Sequence, residues 1–155
     1  IRDRDYTEMA QLALERGLPG EAQSVMETAF ARKVFTDQRD IDRNTRLLNS
    51  AKSKVPADKA GLAAADRAAA KGASADDDLR VAQSFMSYGQ NAQAVAAAQR
   101  AVTKNNGKTP GEAQLVLGLA QFKSGDKAAA VKSFKAVKGD PSLARVAKLW
   151  SLRAQ

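Results

Sequence analysis

Apolar residues recur every three to four positions through most of the chain, in segments the length of ordinary amphipathic helices, and the segments break at glycines. Gly17, Gly89 and Gly125 each close one such segment and precede another, in LALERGLPGEA, SFMSYGQNAQA and AQFKSGDKAAA. Their separations are 72 and 36 residues, two periods and one. A helix, a tight turn and a second helix repeating at that interval is the pattern of a helical solenoid. The glycine missing from the series would fall at Ser53, inside a more polar stretch. The predicted units are therefore about 3–35, 36–72, 73–106 and 107–140, with a capping helix over 141–155, making about nine helices in all.

The segment LGLAQFKSGDKAAAVKSFKAV shows how such units would pack. Gly118, Ala120 and Ala130 are small enough to let neighbouring helices approach, while Leu117, Phe122 and Phe134 fill the space left between them. SGDK then reads as a turn, since it lacks the spaced glycines and preceding strand of a phosphate-binding loop. TPGE at 109–112 predicts a capping box with Pro110 in the first helical turn. Asp126 and Asp140 are placed to cap the next two helices, the last running through Leu143, Val146, Leu149 and Trp150. NNGKTP at 105–110 is the clearest loop.

The second unit is the least regular. TDQRDIDRNTRLLNSAKSK offers only Ile41, Leu47, Leu48 and Ala51 for burial, which predicts a weakly held, more mobile helix over about 37–52. Val55 and Pro56 would open a second, alanine-rich helix. Alternatively, the first of these helices stays close to its predecessor through Phe30, Val34 and Phe35, which would otherwise form an exposed apolar patch.

Aligned on their turns, the units share a residue order. Leu117, Gly118, Phe122, Gly125, Ala130, Phe134 and Val137 in the fourth correspond to Val81, Ala82, Phe85, Gly89, Ala94, Ala98 and Ala101 in the third, and to Met9, Ala10, Leu14, Gly17, Ala22, Met26 and Ala29 in the first. This order resembles the tetratricopeptide repeat in a degenerate, bacterial style. The resemblance implies an all-α fold, a right-handed superhelical solenoid of antiparallel helix pairs, acting as a non-catalytic protein-interaction scaffold whose first helices line a concave groove. Carried onto this chain, the groove positions are Thr7, Gln11, Arg43, Leu47, Leu79, Gln83, Met86, Leu115, Leu119 and Phe122. Thr7 and Gln11 stand where the family's carboxylate clamp has lysine and asparagine. An internal peptide segment or a folded protein surface is thus the expected partner. The alanine-rich style and the ending KAVKGDPSLARVAKLWSLRAQ are similar to exported repeat proteins, which favours the periplasm over the cytoplasm.

Composition narrows the chemistry. The chain has neither cysteine nor histidine, so thiolate and imidazole metal sites, disulfides and histidine-based catalysis are closed to it. No cofactor or metal is expected. The consecutive carboxylates Asp76, Asp77 and Asp78 point in different directions on a helix and suit a helix start better than a shared ion. Asp37, Asp40 and Asp42 alternate with Arg39, Arg43 and Arg46, a pattern of local ion pairs. No nucleophile has a visible base, so an enzyme is not expected. Apolar runs such as AGLAAA fall far short of the roughly 20 residues of a bilayer span. A start at Ile1 without a signal-peptide pattern reads as the C-terminal piece of a longer chain.

Of the net charge of +8, most lies near the end, where the last 47 residues carry eight basic and three acidic side chains. Lys132, Lys135 and Lys138 share an outward face at i, i+3 spacing. A solvated face explains them. The competing readings are a basic module for an anionic polymer such as nucleic acid, which the shortage of stacking aromatics disfavours, and a self-associating structural module.

Overall fold

The computed structural model describes residues 1–155 as eight α-helices without strands: α1 (Asp3–Glu15), α2 (Pro19–Ala31), α3 (Gln38–Lys71), α4 (Ala75–Ser87), α5 (Asn91–Lys104), α6 (Glu112–Lys123), α7 (Lys127–Lys135) and α8 (Pro141–Ala154). No helix is long and apolar enough to cross a membrane. The chain divides into two compact units, Ile1–Ala63 and Ala64–Gln155.

Three helix pairs are closed by one turn geometry. Gly17, Gly89 and Gly125 have φ of 74°, 72° and 91°, the left-handed region in which a Cβ is strained. At each, the residue after the glycine donates its N–H five residues back, Leu18 to Ala13 (2.8 Å), Gln90 to Phe85 (2.9 Å) and Asp126 to Gln121 (3.0 Å). Each glycine in turn donates to Leu14, Met86 or Phe122. This is the Schellman motif, which satisfies the last carbonyls of a helix and reverses the chain. Lys33, at φ 54°, ends α2 the same way, with Val34 donating to Ala29 at 3.2 Å.

In the first unit, Ala10, Ala22, Met26 and Ala29 are fully buried between α1 and α2. Ile41, Leu47, Leu48 and Ala51 of α3 pack into the same core, as do Phe30, Val34 and Phe35, so the start of α3 is held against its predecessor. The Phe30 and Phe35 rings meet edge to face at 5.3 Å. Polar pinning adds to the packing: the Thr7 hydroxyl donates to Asn44 Oδ1 (2.7 Å), and Asn44 Nδ2 donates to the Asp40 carbonyl (2.8 Å).

The expected hairpin over 36–72 is absent. One helix of 34 residues runs through Ser53 and Pro56, giving eight helices rather than nine. Neither glycine nor asparagine stands at Ser53 or in the seven residues after it to take up a left-handed turn, and the Ser53 hydroxyl donates to the Ser50 carbonyl (2.7 Å) within the helix. The alanine-rich sequence beyond Pro56 has high helix propensity, which outweighs the local cost of a proline that cannot donate to the Lys52 carbonyl.

In the second unit, α4 packs on α5, α5 on α6, α6 on α7 and α7 on α8, and the alternate helices α4 and α6, and α6 and α8, also touch. Small residues make this possible. Ala94, Ala97, Ala98 and Ala101 of α5 are fully buried, and Gly118 of α6 lies under the Phe134 ring. Asp126 caps α7 by accepting from Ala129 N (3.1 Å), and Asp140 caps α8 by accepting from Ser142 N (2.9 Å) and Leu143 N (3.1 Å). The TPGE segment behaves otherwise. Glu112 N donates to the Thr109 carbonyl (3.2 Å) and Gly111 sits at φ 85°, ψ −13°, the third residue of a type II turn with proline at the second. Thr109 therefore forms a turn instead of a capping box, and α6 begins at Glu112.

Candidate functional site

The residues assigned to a groove separate by burial. Leu79 (3% exposed) and Leu115 (8%) are core side chains, which corrects their placement on a binding surface. Phe122 is half-buried against Trp150, ring centroids 5.5 Å apart, and the Arg153 guanidinium lies 5.9 Å from its centroid. The terminal helix thus covers it. Leu119 is half-buried on the same core. Gln83 and Met86 remain half-exposed on α4, one turn apart. On the first unit Gln11 is exposed, Arg43 is exposed and paired with Asp40 (3.1 Å), Leu47 is half-buried in the core, and Thr7 is buried.

The terminal helix buries a face different from the one its sequence suggests. Its inward residues are Ala147, Ser151 and Ala154, with Leu143 and Trp150 half-buried beside them. Val146 (41% exposed), Leu149 (69%) and Leu152 (60%) face out at i, i+3, i+6, flanked by Arg145 and Lys148. Trp150 accounts for the rotation: it stacks on Phe134 at 6.3 Å as well as touching Phe122, and so turns the aliphatic stripe toward solvent. Lys132, Lys135 and Lys138 are all exposed, with Phe134 buried between them.

The three carboxylates at the start of α4 have three different partners. Asp76 accepts from Lys108 N (3.2 Å), Asp77 lies 3.9 Å from Arg80, and Asp78 is fully buried. Asp78 accepts from Arg100 Nε (2.9 Å) through Oδ1 and faces Lys104 Nζ at 2.5 Å through Oδ2. Arg100 also reaches Asp66 on α3 (2.5 Å), and Lys104 donates to the Ala69 carbonyl (2.7 Å). Burial works against the charged guanidinium, but its hydrogen bonds to Asp66 and Asp78 outweigh that and hold the Arg100 pKa above its ordinary value. The four charges balance and their groups occupy one another, so this network ties α3, α4 and α5 together. Its sequence signal was Arg100 and Lys104 at i, i+4 on an otherwise alanine-rich helix.

Beside it, Asn106 grips the turn into α4. Its Oδ1 accepts from Ala75 N and its Nδ2 donates to the Ala73 carbonyl, both at 2.8 Å. The helix start is capped from 31 residues away, while the side chain of Ser74 makes no capping bond. Compared with protein-family models, with curated proteins and with solved structures, the chain finds no match in any of the three.

Proposed function

We propose that this chain is a non-catalytic protein-interaction module of tetratricopeptide-like hairpins, stacked as a right-handed solenoid and binding a peptide segment or a protein surface. The observation that carries the reading is the side-by-side packing of α4 and α6, the first helices of two consecutive hairpins closed by the same turn. Helices stacked in this way present a continuous surface on which an extended partner is recognised. Gln83 and Met86, half-exposed on α4, with Leu119 on α6, are the side chains offered to it. The periplasm is the compartment favoured by the resemblance.

The test is a pull-down from bacterial extract with the wild-type chain and a Gln83→Glu, Met86→Glu variant, each washed at low and high salt. A protein retained at high salt by the wild type and lost by a variant with unchanged circular dichroism supports the reading. Capture that both proteins release in salt transfers the interaction to the basic face of α7 and α8.

A second reading, self-association, is favoured by the uncovered aliphatic residues Val146, Leu149 and Leu152 on α8 and Met9 and Leu12 on α1. It predicts a mass above one chain by light scattering, reduced by Leu149→Glu. A single-chain mass at high concentration removes it.

A further inference from the structure

The outward face of α8 carries aliphatic side chains and cations together. Leu149 stands one turn from Arg145 and from Arg153, and Leu152 one turn from Lys148, each pair at i, i+4. All five are exposed, as is Val146 beside them. Leucines and cations thus alternate along one surface, and no residue from 141 to 155 has an acidic side chain. Lys135 of α7 joins this surface, since it borders the groove that Lys148 and Leu152 line. Gln155, the last residue, lies in the same groove, and its terminal carboxylate offsets one of the four positive charges of Lys135, Arg145, Lys148 and Arg153. Asp140 is engaged in capping α8. The face keeps an excess of positive charge around its leucines.

These side chains project from the convex side of a helix, which selects among occupants. A peptide is held by anchors sunk into a groove or by a sheet edge, and α8 offers neither on this side. Nucleic acid would pair with the cations but set Leu149 and Leu152 against phosphate. The one aromatic ring of the helix, Trp150, is packed on Phe122 and Phe134 and covered by the Arg153 guanidinium, so it has no free face for a base. A second copy docked by the same face would meet Arg145 and Lys148 with like charges. An anionic bilayer surface suits both features at once. Aliphatic tips enter the boundary between headgroups and acyl chains, while long lysine and arginine stems reach back to the phosphates.

We propose that the outward face of α8 docks on the surface of an anionic lipid bilayer, with Leu149 and Leu152 inserted and Lys135, Arg145 and Lys148 on the headgroups. The helix then lies along the surface, held jointly by apolar burial and by charge. The contact uses none of Gln83, Met86 and Leu119, so it and the peptide surface proposed above can fail separately. Self-association would use this same face, and the experiment separates the two.

Co-sedimentation of the 155-residue chain with vesicles tests it, using phosphatidylcholine alone and phosphatidylcholine mixed with phosphatidylglycerol. The mixed vesicles should retain the chain at low salt, and phosphatidylcholine alone should not. Arg145→Gln with Lys148→Gln should weaken binding about 25-fold, at roughly five-fold per cation near an anionic surface. Leu149→Gln with Leu152→Gln should weaken it about ten-fold or more with unchanged circular dichroism, since both positions are exposed. Arg46→Gln with Lys52→Gln removes the same charge from exposed positions on α3 and should change binding by less than about two-fold. Equal losses in the α3 and α8 charge variants overturn the proposal, because net charge then binds without a docking face. Full binding by the folded leucine variant overturns it as well. So does a wild-type chain that fails to sediment with the mixed vesicles. Oligomers that Leu149→Gln disperses would then assign the face to self-association, and retention of an oligonucleotide would assign it to nucleic acid.

Discussion

Gly118 on α6 lies so close to Phe134 on α7 that a Cβ added to it would fall 2.5 Å from two carbons of the ring. The ring has nowhere to go: it is 2% exposed and is stacked on Trp150 from another side. Alanine at 118 would gain helix propensity of up to about 1 kcal/mol over glycine, but overpacking against an immobile ring costs more. Gly118→Ala should therefore destabilise the second unit by about 1–3 kcal/mol in urea unfolding. The same change at Gly61, whose Cβ would meet nothing within 4 Å, should stabilise or be neutral.

Lys33 gives the opposite sign. It ends α2 with the hydrogen bonds and positive φ that glycine adopts at 17, 89 and 125, and it carries a Cβ into that conformation. Lys33→Gly should stabilise the first unit by about 0.5–1 kcal/mol, a gain in strain relief partly offset by backbone entropy. Gly17→Ala should destabilise by about 1 kcal/mol, since it imposes the strain Lys33 already bears. Thermal melts of the two variants, shifting in opposite directions, would check both.

These two positions show why much of the fold is legible in the sequence. A turn glycine and a small residue facing an aromatic are local requirements, and they repeat with a fixed interval, so Gly17, Gly89, Gly125, Gly118 and the caps at Asp126 and Asp140 could be read directly. What could not be read depends on partners distant in sequence. Ser74 looks like a helix cap, but Asn106 does the capping. Asp78 looks like one of three equivalent carboxylates, but Arg100 and Lys104 draw it into the core. The stripe on α8 looks like its buried face until Trp150 is seen to set the rotation. The candidate groove suffered most, because Leu79 and Leu115 are apolar for the core's sake and the terminal helix claims Phe122.

Asp78 supplies a third prediction. Its side chain is fully buried, while those of Arg100 and Lys104 are 28% and 18% exposed. Asp78→Ala leaves Lys104 without its carboxylate and Arg100 with Asp66 alone. Breaking a buried pair typically costs several kcal/mol, and partial exposure of the two cations reduces that to about 2–4 kcal/mol here. Adding Arg100→Met and Lys104→Met to the same chain should recover most of the loss, because the unpaired charges leave with the carboxylate. Failure of the triple variant to recover would mean that the network orders α3 against α5 in a way apolar packing does not replace.

Pro56 tests the unbroken helix. Between Ala51 and Leu62, both buried, α3 has no other buried residue, and only Val55 and Asp58 are half-buried, so this stretch has less packing than the helix on either side of it. Proline at 56 denies the Lys52 carbonyl its donor at the point where tertiary support is weakest. A proline inside a helix costs about 3 kcal/mol relative to alanine. Pro56→Ala should therefore slow amide exchange through residues 52–60 by one to two orders of magnitude, roughly the ratio that 1.4–2.8 kcal/mol of added local stability produces. Exchange at Ala10, Ala22 and Met26, buried between α1 and α2, should not change, because those amides open through a different packing unit. If exchange in 52–60 is already as slow as in α1 and α2, the middle of α3 is braced by more than its own backbone. If the variant instead slows all of these amides equally, the long helix and the first core open together as one cooperative element.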